Sequence, residues 1–146
     1  NCAAGNTYHK SGDLDLAVGY YTKALEIQPV YPDAWNDLGV ARKDQGNHAL
    51  AIKMYQRAIY LEPAHARAYY NLGQAHQAEG DNERAVKAYR KSLDLNPYYP
   101  EACNNLAMIL AKEGKILEAR LLWERALRLD PGYDIARVNL RRLDDE

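Results

Sequence analysis

The strongest constraint on this chain is a repeat of 34 residues, because the same residue types recur at that spacing. The recurring positions are Gly12, Gly46, Gly80 and Gly114; Pro29, Pro63, Pro97 and Pro131; Ala17, Ala51, Ala85 and Ala119; and the aromatic residues Tyr21, Tyr55, Tyr89 and Trp123. Four such series do not arise by chance, and a period of this length is typical of solenoids and repeat arrays. We therefore expect a stack of small units, each buried only against its neighbours.

Each unit contains two helical patterns, in which large apolar residues recur at spacings of three and four. We predict helices over residues 1–11, 14–28, 33–45, 48–61, 66–79, 82–95, 101–113, 116–129 and 134–143. The chain has 12 Tyr and no Phe. Each buried Tyr hydroxyl should therefore reach a wet edge or a hydrogen-bond partner.

A glycine followed by a polar residue separates the two helices of each pair. The polar residues are Asp13, Asn47, Asp81 and Lys115. Glycine accepts the left-handed conformation that ends a helix, and Asp or Asn can cap the next helix, whereas Lys115 cannot. Between pairs a proline ends the helix, and Pro32 and Pro100 suit the first turn of the helix that follows.

The charge composition argues against a nucleic acid as the main partner. The chain carries 19 basic and 20 acidic residues, a net charge of −1, and neutralising phosphates needs a basic face. No stretch approaches the roughly 18 apolar residues of a membrane span. The thiols Cys2 and Cys103 lie far apart in the stack, which indicates a reducing compartment such as the cytoplasm. Because the chain starts at Asn1 inside a predicted helix, we expect it to be a fragment.

The sequence offers no candidate active site, cofactor site or metal site. Serine and threonine occur only at Ser11, Ser92, Thr7 and Thr22, and none lies in a nucleophile motif. The four histidines occupy different repeat positions and show no metal-ligand spacing with either cysteine. The chain is therefore predicted to have no enzymatic activity.

The residues of the second unit resemble the tetratricopeptide repeat, or TPR, whose pattern runs W-x2-L-G-x2-Y, then A-x3-F, then P. The matching residues are Trp35, Leu38, Gly39, Ala51, Tyr55, Ala58 and Pro63. The third unit matches with Tyr69, Leu72, Gly73, Ala85, Tyr89 and Pro97. The resemblance implies an all-α fold, a right-handed α-solenoid of helix–turn–helix repeats.

The resemblance covers essentially the whole chain and implies one domain over residues 1–146. We expect a truncated first repeat at 1–31, full repeats at 32–65, 66–99 and 100–133, and a capping helix at 134–146. In the last segment Leu140 and Leu143 would cover the end of the stack while the charged residues face water.

The resemblance also implies a concave groove, lined by the first helix of each pair, that binds a protein or peptide. Counting Pro32 as position 1 of its repeat, positions 2, 5, 6, 9, 12 and 13 usually face this groove. The candidate groove residues are Asn36, Asp37, Val40, Lys43, Arg67, Tyr70, Asn71, Gln74, Gln77, Glu101, Asn104, Asn105, Met108 and Asn139.

Position 6 carries a row of asparagines, Asn71, Asn105 and Asn139, which we call the asparagine ladder. An amide offers a donor and an acceptor, so such a row can pair with the backbone of an extended peptide whatever its sequence. The row resembles the asparagines in the TPR region of O-linked GlcNAc transferase. The alternative is that these side chains bond only within the stack.

We interpret the chain as a scaffold that binds an extended partner segment in the groove. The clamp with which some TPR domains hold chaperone carboxylates is rejected, because Asp37 and Glu101 would repel that group. Three alternatives stay open: a targeting region of a larger enzyme such as a glycosyltransferase, a homo-oligomer formed through exposed repeat ends, and a partly engineered repeat protein.

Overall fold

The computed structural model describes residues 1–145, and within that range it contains helices and turns but no strand. The helices are α1 (Cys2–Ser11), α2 (Leu14–Ile27), α3 (Pro32–Asp44), α4 (His48–Leu61), α5 (Ala66–Ala78), α6 (Asn82–Leu95), α7 (Pro100–Lys112), α8 (Ile116–Leu129) and α9 (Asp134–Asp144). Their ends differ from the predicted ones by one residue at most. The fold is the predicted all-α solenoid of helix pairs.

The turns inside the pairs follow the glycine pattern, since Gly12, Gly46, Gly80 and Gly114 all have φ between +78° and +86°. Asn47 and Asp81 cap the next helix by accepting hydrogen bonds from Leu50 N at 3.1 Å and Arg84 N at 3.0 Å. The same prediction for Asp13 is wrong, because its side chain makes no capping bond to α2. Lys115 precedes α8 without a side-chain cap, as its chemistry requires.

Helices pack most extensively within the pairs α1/α2, α3/α4, α5/α6 and α7/α8, and next with the following pair. The closest approach places a glycine of the first helix on an aromatic ring of the second. A Cβ atom at Gly39 would lie 2.5 Å from Cε1 of Tyr55, and one at Gly73 would lie 2.7 Å from Cδ1 of Tyr89. Glycine is needed at these positions because the rings leave no space for a methyl group.

The hydroxyls of the fully buried tyrosines differ in how they are satisfied. Tyr21 donates to Oδ1 of Asn6 at 2.6 Å, and Tyr89 donates to Oε1 of Gln77 at 2.8 Å. The hydroxyl of Tyr55 is buried and has no hydrogen-bond partner within residues 1–145. The expectation of a hydrogen-bond partner or a wet edge is therefore wrong for Tyr55. The residue equivalent to Gln77 in this repeat is Lys43, whose side chain has no acceptor for the hydroxyl.

Helix α9 packs against the preceding pair, α7/α8. Ala136 is fully buried, and Leu140 and Leu143 pack against the core formed by α7 and α8. Arg137 and Arg141 remain exposed on its other side. The same exposed side carries Ile135 and Val138, so the predicted division into covered apolar residues and exposed charged ones is wrong for these two.

Candidate functional site

The predicted groove residues all lie on the first helices of the pairs or on the capping helix, namely on α3, α5, α7 and α9. Direct contacts between α1 and α3, and between α3 and α5, bring successive first helices side by side. One surface of the stack is therefore built from these helices, and it carries the residues that the repeat positions single out.

A recurring hydrogen bond joins neighbouring first helices across this surface. Nδ2 of Asn71 donates to Oδ1 of Asn36 at 2.8 Å, and Nδ2 of Asn139 donates to Oδ1 of Asn104 at 3.1 Å. In the repeat between them, Nδ2 of Asn105 lies 3.4 Å from the hydroxyl of Tyr70. Each bond links position 5 of one repeat to position 6 of the next, which gives the asparagine ladder a role inside the stack.

Burial separates the members of this bonded set. Asn36 is 1 % exposed, Asn71 is 7 % exposed and Asn104 is also buried, whereas Asn105 and Asn139 are half-buried. Asn104 is fixed further because its Oδ1 accepts a hydrogen bond from Nε1 of Trp123 at 3.0 Å. Asn36 and Asn104 therefore serve mainly as acceptors for the stack.

Each ladder amide keeps part of its hydrogen-bonding capacity. An Asn side chain has two N–H donors and an Oδ1 acceptor, and the bond to position 5 uses one donor. No donor within residues 1–145 reaches Oδ1 of Asn71 or Oδ1 of Asn139, and neither atom is sealed from solvent. These oxygens can accept a hydrogen bond from a ligand.

Tyr70 lies in an aromatic cluster between the third and fourth repeats. Its ring centroid is 4.7 Å from that of Tyr99 and 5.9 Å from that of Tyr89. Its hydroxyl also accepts a hydrogen bond from Nε2 of Gln74 at 3.0 Å. Burial, aided by the charge of Glu101, raises the pKa of Tyr70, so its hydroxyl stays protonated near neutral pH.

Tyr99 lies beside the first helices and lines a cavity there, although the repeat positions did not single it out. It lies before Pro100 in the connection between pairs and is half-buried, and burial raises the pKa of its hydroxyl. The sequence does contain a signal for it, since Tyr31, His65, Tyr99 and Tyr133 also recur every 34 residues. His65 uses this place to cap α5, because its Nδ1 accepts from Ala68 N at 3.3 Å.

A polar cavity of about 250 Å³ opens in the groove beside Asp37, and we call it the Asp37 pocket. It is lined by Asn6, His9, Tyr21, Asn36, Asp37, Val40, Arg67, Asn71 and Tyr99. Five of these were predicted groove residues, while Asn6, His9, Tyr21 and Tyr99 were not. Burial raises the pKa of Tyr21 to about 12, so the hydroxyl that it donates to Asn6 remains protonated.

The electrostatics of the Asp37 pocket centre on one carboxylate. Burial raises the pKa of Asp37, and the guanidinium of Arg67, 3.6 Å away, acts in the opposite direction. Arg67 lies closer to Asp33, at 3.2 Å, so its charge is shared between two acids. The carboxylate of Asp37 is thus partly desolvated and only partly compensated.

The remaining predicted residues are spread along the groove. Met108 and Asn139 line a second cavity, of about 380 Å³, between α7, α8 and α9. Lys43 lies 3.8 Å from Asp44, and Glu101 is exposed at the start of α7. The structure does not gather the predicted residues into one pocket.

Across residues 1–145, the His, Cys, Asp and Glu side chains form no group of three or more that could hold a metal ion. The helices of that same range are all too short or too polar to cross a membrane.

Comparison with known proteins identifies the repeat. Two models described as "Tetratricopeptide repeat" match residues 37–100 and 100–133, and one described as "TPR repeat" matches residues 5–46. No curated protein matches the sequence.

Solved structures of MamA resemble the chain over almost its whole length. One is 26 % identical in sequence with a TM-score of 0.86, and the match covers 97 % of this chain and 82 % of the MamA chain. A second, described as MamA protein, is 25 % identical with a TM-score of 0.85, and the match covers 98 % of this chain and 78 % of that chain.

These findings support a protein-interaction scaffold and favour neither a targeting region of a larger enzyme nor a self-assembly module. Repeats of this kind are generally non-catalytic interaction modules. The family matches together span residues 5–133, and the helix pairs and their glycine turns follow the same period. The chain belongs to the tetratricopeptide repeat family.

Proposed function

We propose that the chain binds an extended segment of a partner protein along its first helices. The segment would contact Asp37, Val40, Lys43, Arg67, Tyr70, Asn71, Gln74, Gln77, Glu101, Asn105, Met108 and Asn139, while the buried Asn36 and Asn104 would hold the ladder amides in place. The observation that carries this proposal is the row of ladder amides, which keep unused hydrogen-bonding capacity at regular intervals along one surface.

In this proposal the ladder has two roles at once. One N–H of each amide holds the neighbouring repeat, and the Oδ1 atoms of Asn71 and Asn139 accept hydrogen bonds from backbone N–H groups of the segment. Oδ1 of Asn105 has one lone pair engaged by Asn104 at 3.3 Å, and its second lone pair would accept from the segment in the same way. The ladder would then bind a peptide backbone in the way that its resemblance to the asparagines of O-linked GlcNAc transferase implies. The apolar anchors of the segment would reach Tyr70, Val40 and Met108, which are half-buried.

The role needs no chemistry from the chain itself, so we propose binding without catalysis and without a cofactor. A protein is the proposed partner rather than a nucleic acid, since the net charge of −1 supplies no basic face. The free thiols of Cys2 and Cys103 suit a reducing compartment such as the cytoplasm. Pairing of two copies through the stack ends remains an alternative, separable by sedimentation at two concentrations.

A displayed library of random 12-residue peptides tests the proposal. We expect the wild-type chain to enrich a set of related peptides, and the Asn105→Ala variant to bind them about fivefold more weakly in fluorescence anisotropy. This factor corresponds to about 1 kcal/mol for one hydrogen bond. Asn105 suits the test because all its side-chain bonds are long, at 3.4 Å to Tyr70 and Tyr89 and 3.3 Å from Asn104, and should contribute little to stability.

Asn82→Ala is the matched control, because Asn82 is exposed at the start of α6 and outside the groove. It should bind the selected peptides as the wild type does. Circular dichroism melting should show that both variants remain folded. A library that yields no enriched peptide would contradict the proposal, and so would equal weakening by Asn105→Ala and Asn82→Ala.

A further inference from the structure

We propose that the Asp37 pocket receives the basic side chain, lysine or arginine, of a segment bound in the groove, which makes the pocket a specificity site. This inference rests on the proposed function, because the side chain belongs to a segment that the ladder would hold. At position 6, where the later repeats have Asn71, Asn105 and Asn139, the second repeat alone has an acid among the residues of that series on α3, α5, α7 and α9.

The Asp37 carboxylate is largely shielded from solvent, yet one of its oxygens accepts no hydrogen bond within residues 1–145. Its side chain is 23 % exposed, and Nδ2 of Asn36 reaches Oδ1 only at 3.4 Å. The same Oδ1 is the atom nearest Arg67. No donor within residues 1–145 reaches Oδ2 of Asp37, and that atom is not sealed from solvent. A partly desolvated carboxylate with an open oxygen attracts a cation more strongly than an exposed one does.

The charges around the pocket leave room for one more cation. Arg67 is 54 % exposed and divides its attraction between Asp33 and Asp37. On the other side Asp44 accepts from His9 at 2.7 Å and lies 3.8 Å from Lys43. The carboxylates of Asp33, Asp37 and Asp44 therefore meet two permanent cations, Arg67 and Lys43, and two histidines, His9 and His65, of which His65 lies 3.2 Å from Asp33. The permanent charges sum to −1, which favours an added cation over an added anion.

The walls of the pocket suit the stem of a basic side chain. Lysine and arginine carry an apolar stem and a charged head, and each prefers a site that offers both kinds of contact. The half-buried side chains of Val40 and Tyr99 supply apolar and aromatic surface around a cavity of about 250 Å³. Aromatic faces near a cation add to the attraction.

Two variants with the same charge change separate the pocket from a general charge effect. Asp37→Asn installs the residue of the later repeats, so the helix should keep its packing. Asp33→Asn removes an equal charge from an exposed neighbour that contacts the same arginine. Both variants and the wild type are used to select peptides from the random 12-residue library.

We expect lysine or arginine to be enriched at one peptide position by the wild type and by Asp33→Asn, but not by Asp37→Asn. Replacing that basic residue with norleucine should weaken wild-type binding about tenfold, the loss expected for one charged hydrogen bond, and Asp37→Asn binding less than twofold. A basic preference that survives in Asp37→Asn, or that Asp33→Asn loses equally, would overturn the pocket assignment while leaving peptide binding in place.

If the library yields no peptide, that result counts against the proposed function alone. A small probe then tests whether the Asp37 pocket binds a basic side chain. The wild type is titrated with Nα-acetyl-lysine methylamide and its norleucine analogue while amide shifts are followed by NMR. Saturable shifts around Asp37 with the lysine probe, absent in Asp37→Asn, support the pocket. Equal responses to both probes refute it.

Discussion

Replacing Gly73 by alanine tests the glycine-on-ring contact that sets the spacing within each helix pair. The added Cβ would lie 2.7 Å from both Cδ1 and Cε1 of Tyr89 and 3.0 Å from its Cζ. Tyr89 is fully buried, and its hydroxyl is tied to Gln77 at 2.8 Å, so the ring has no free path away from the methyl group. Relief therefore requires α5 and α6 to move apart.

The magnitude follows from comparing this change with Gly19→Ala in α2. Alanine favours a helix by about 1 kcal/mol over glycine, and both variants gain that amount. A Cβ at Gly19 would have no atom within 4 Å, so nothing opposes the gain there. Overpacking of a buried site costs about 1–3 kcal/mol, which is then the expected difference in unfolding free energy between the two variants.

Urea denaturation followed by circular dichroism at 222 nm measures this difference. Gly19→Ala should be more stable than the wild type, and Gly73→Ala should be less stable than Gly19→Ala. Adding Tyr89→Leu to each background should shrink the difference, because the ring that opposes the methyl group is gone. Equal stabilities for the two alanine variants would refute the close approach of α5 and α6.

Three further perturbations test the caps, the ladder and the partly buried carboxyl group of Asp37. Lys115→Asp should raise the melting temperature by about 2–4 °C, since a missing N-cap is worth about 1 kcal/mol; no rise would mean that α8 needs no cap. Asn71→Ala should lower the unfolding free energy by about 1–3 kcal/mol, because the buried Oδ1 of Asn36 loses its donor; Asn82→Ala should change it by less than about 0.5 kcal/mol. Burial raises the pKa of Asp37 above its ordinary 3.8, so the folded chain holds that proton to higher pH than the unfolded chain. The wild type should therefore lose stability relative to Asp37→Asn as the pH rises from about 3 to about 7, in parallel denaturation series; a constant difference would show that Asp37 is not desolvated.

The predicted loss of stability in Asn71→Ala would not be expected from the asparagine series in the sequence alone. A row of groove amides that only bind ligand could be removed without loss of stability. The bond of 2.8 Å between Asn71 and Asn36, both buried, makes Asn71 part of the stack as well. A binding test is therefore cleaner at Asn105 than at Asn71.

The sequence by itself determined the helices, their pairing and the turns between them. These features depend on residues close together in the chain: a glycine that accepts positive φ, a proline that ends a helix, and apolar residues on one helical face. The 34-residue period repeats them, so the predicted helix ends agree with the structure to within one residue.

Only the tertiary structure decided which polar side chains meet across the repeats. The bonds from Asn71 to Asn36 and from Asn139 to Asn104 depend on the rotation and spacing of neighbouring first helices. The periodic pattern does not encode that geometry, because a shift of about an ångström makes or breaks a hydrogen bond. For the same reason the unpartnered hydroxyl of Tyr55 and the walls of the Asp37 pocket emerge only when the helix pairs are stacked.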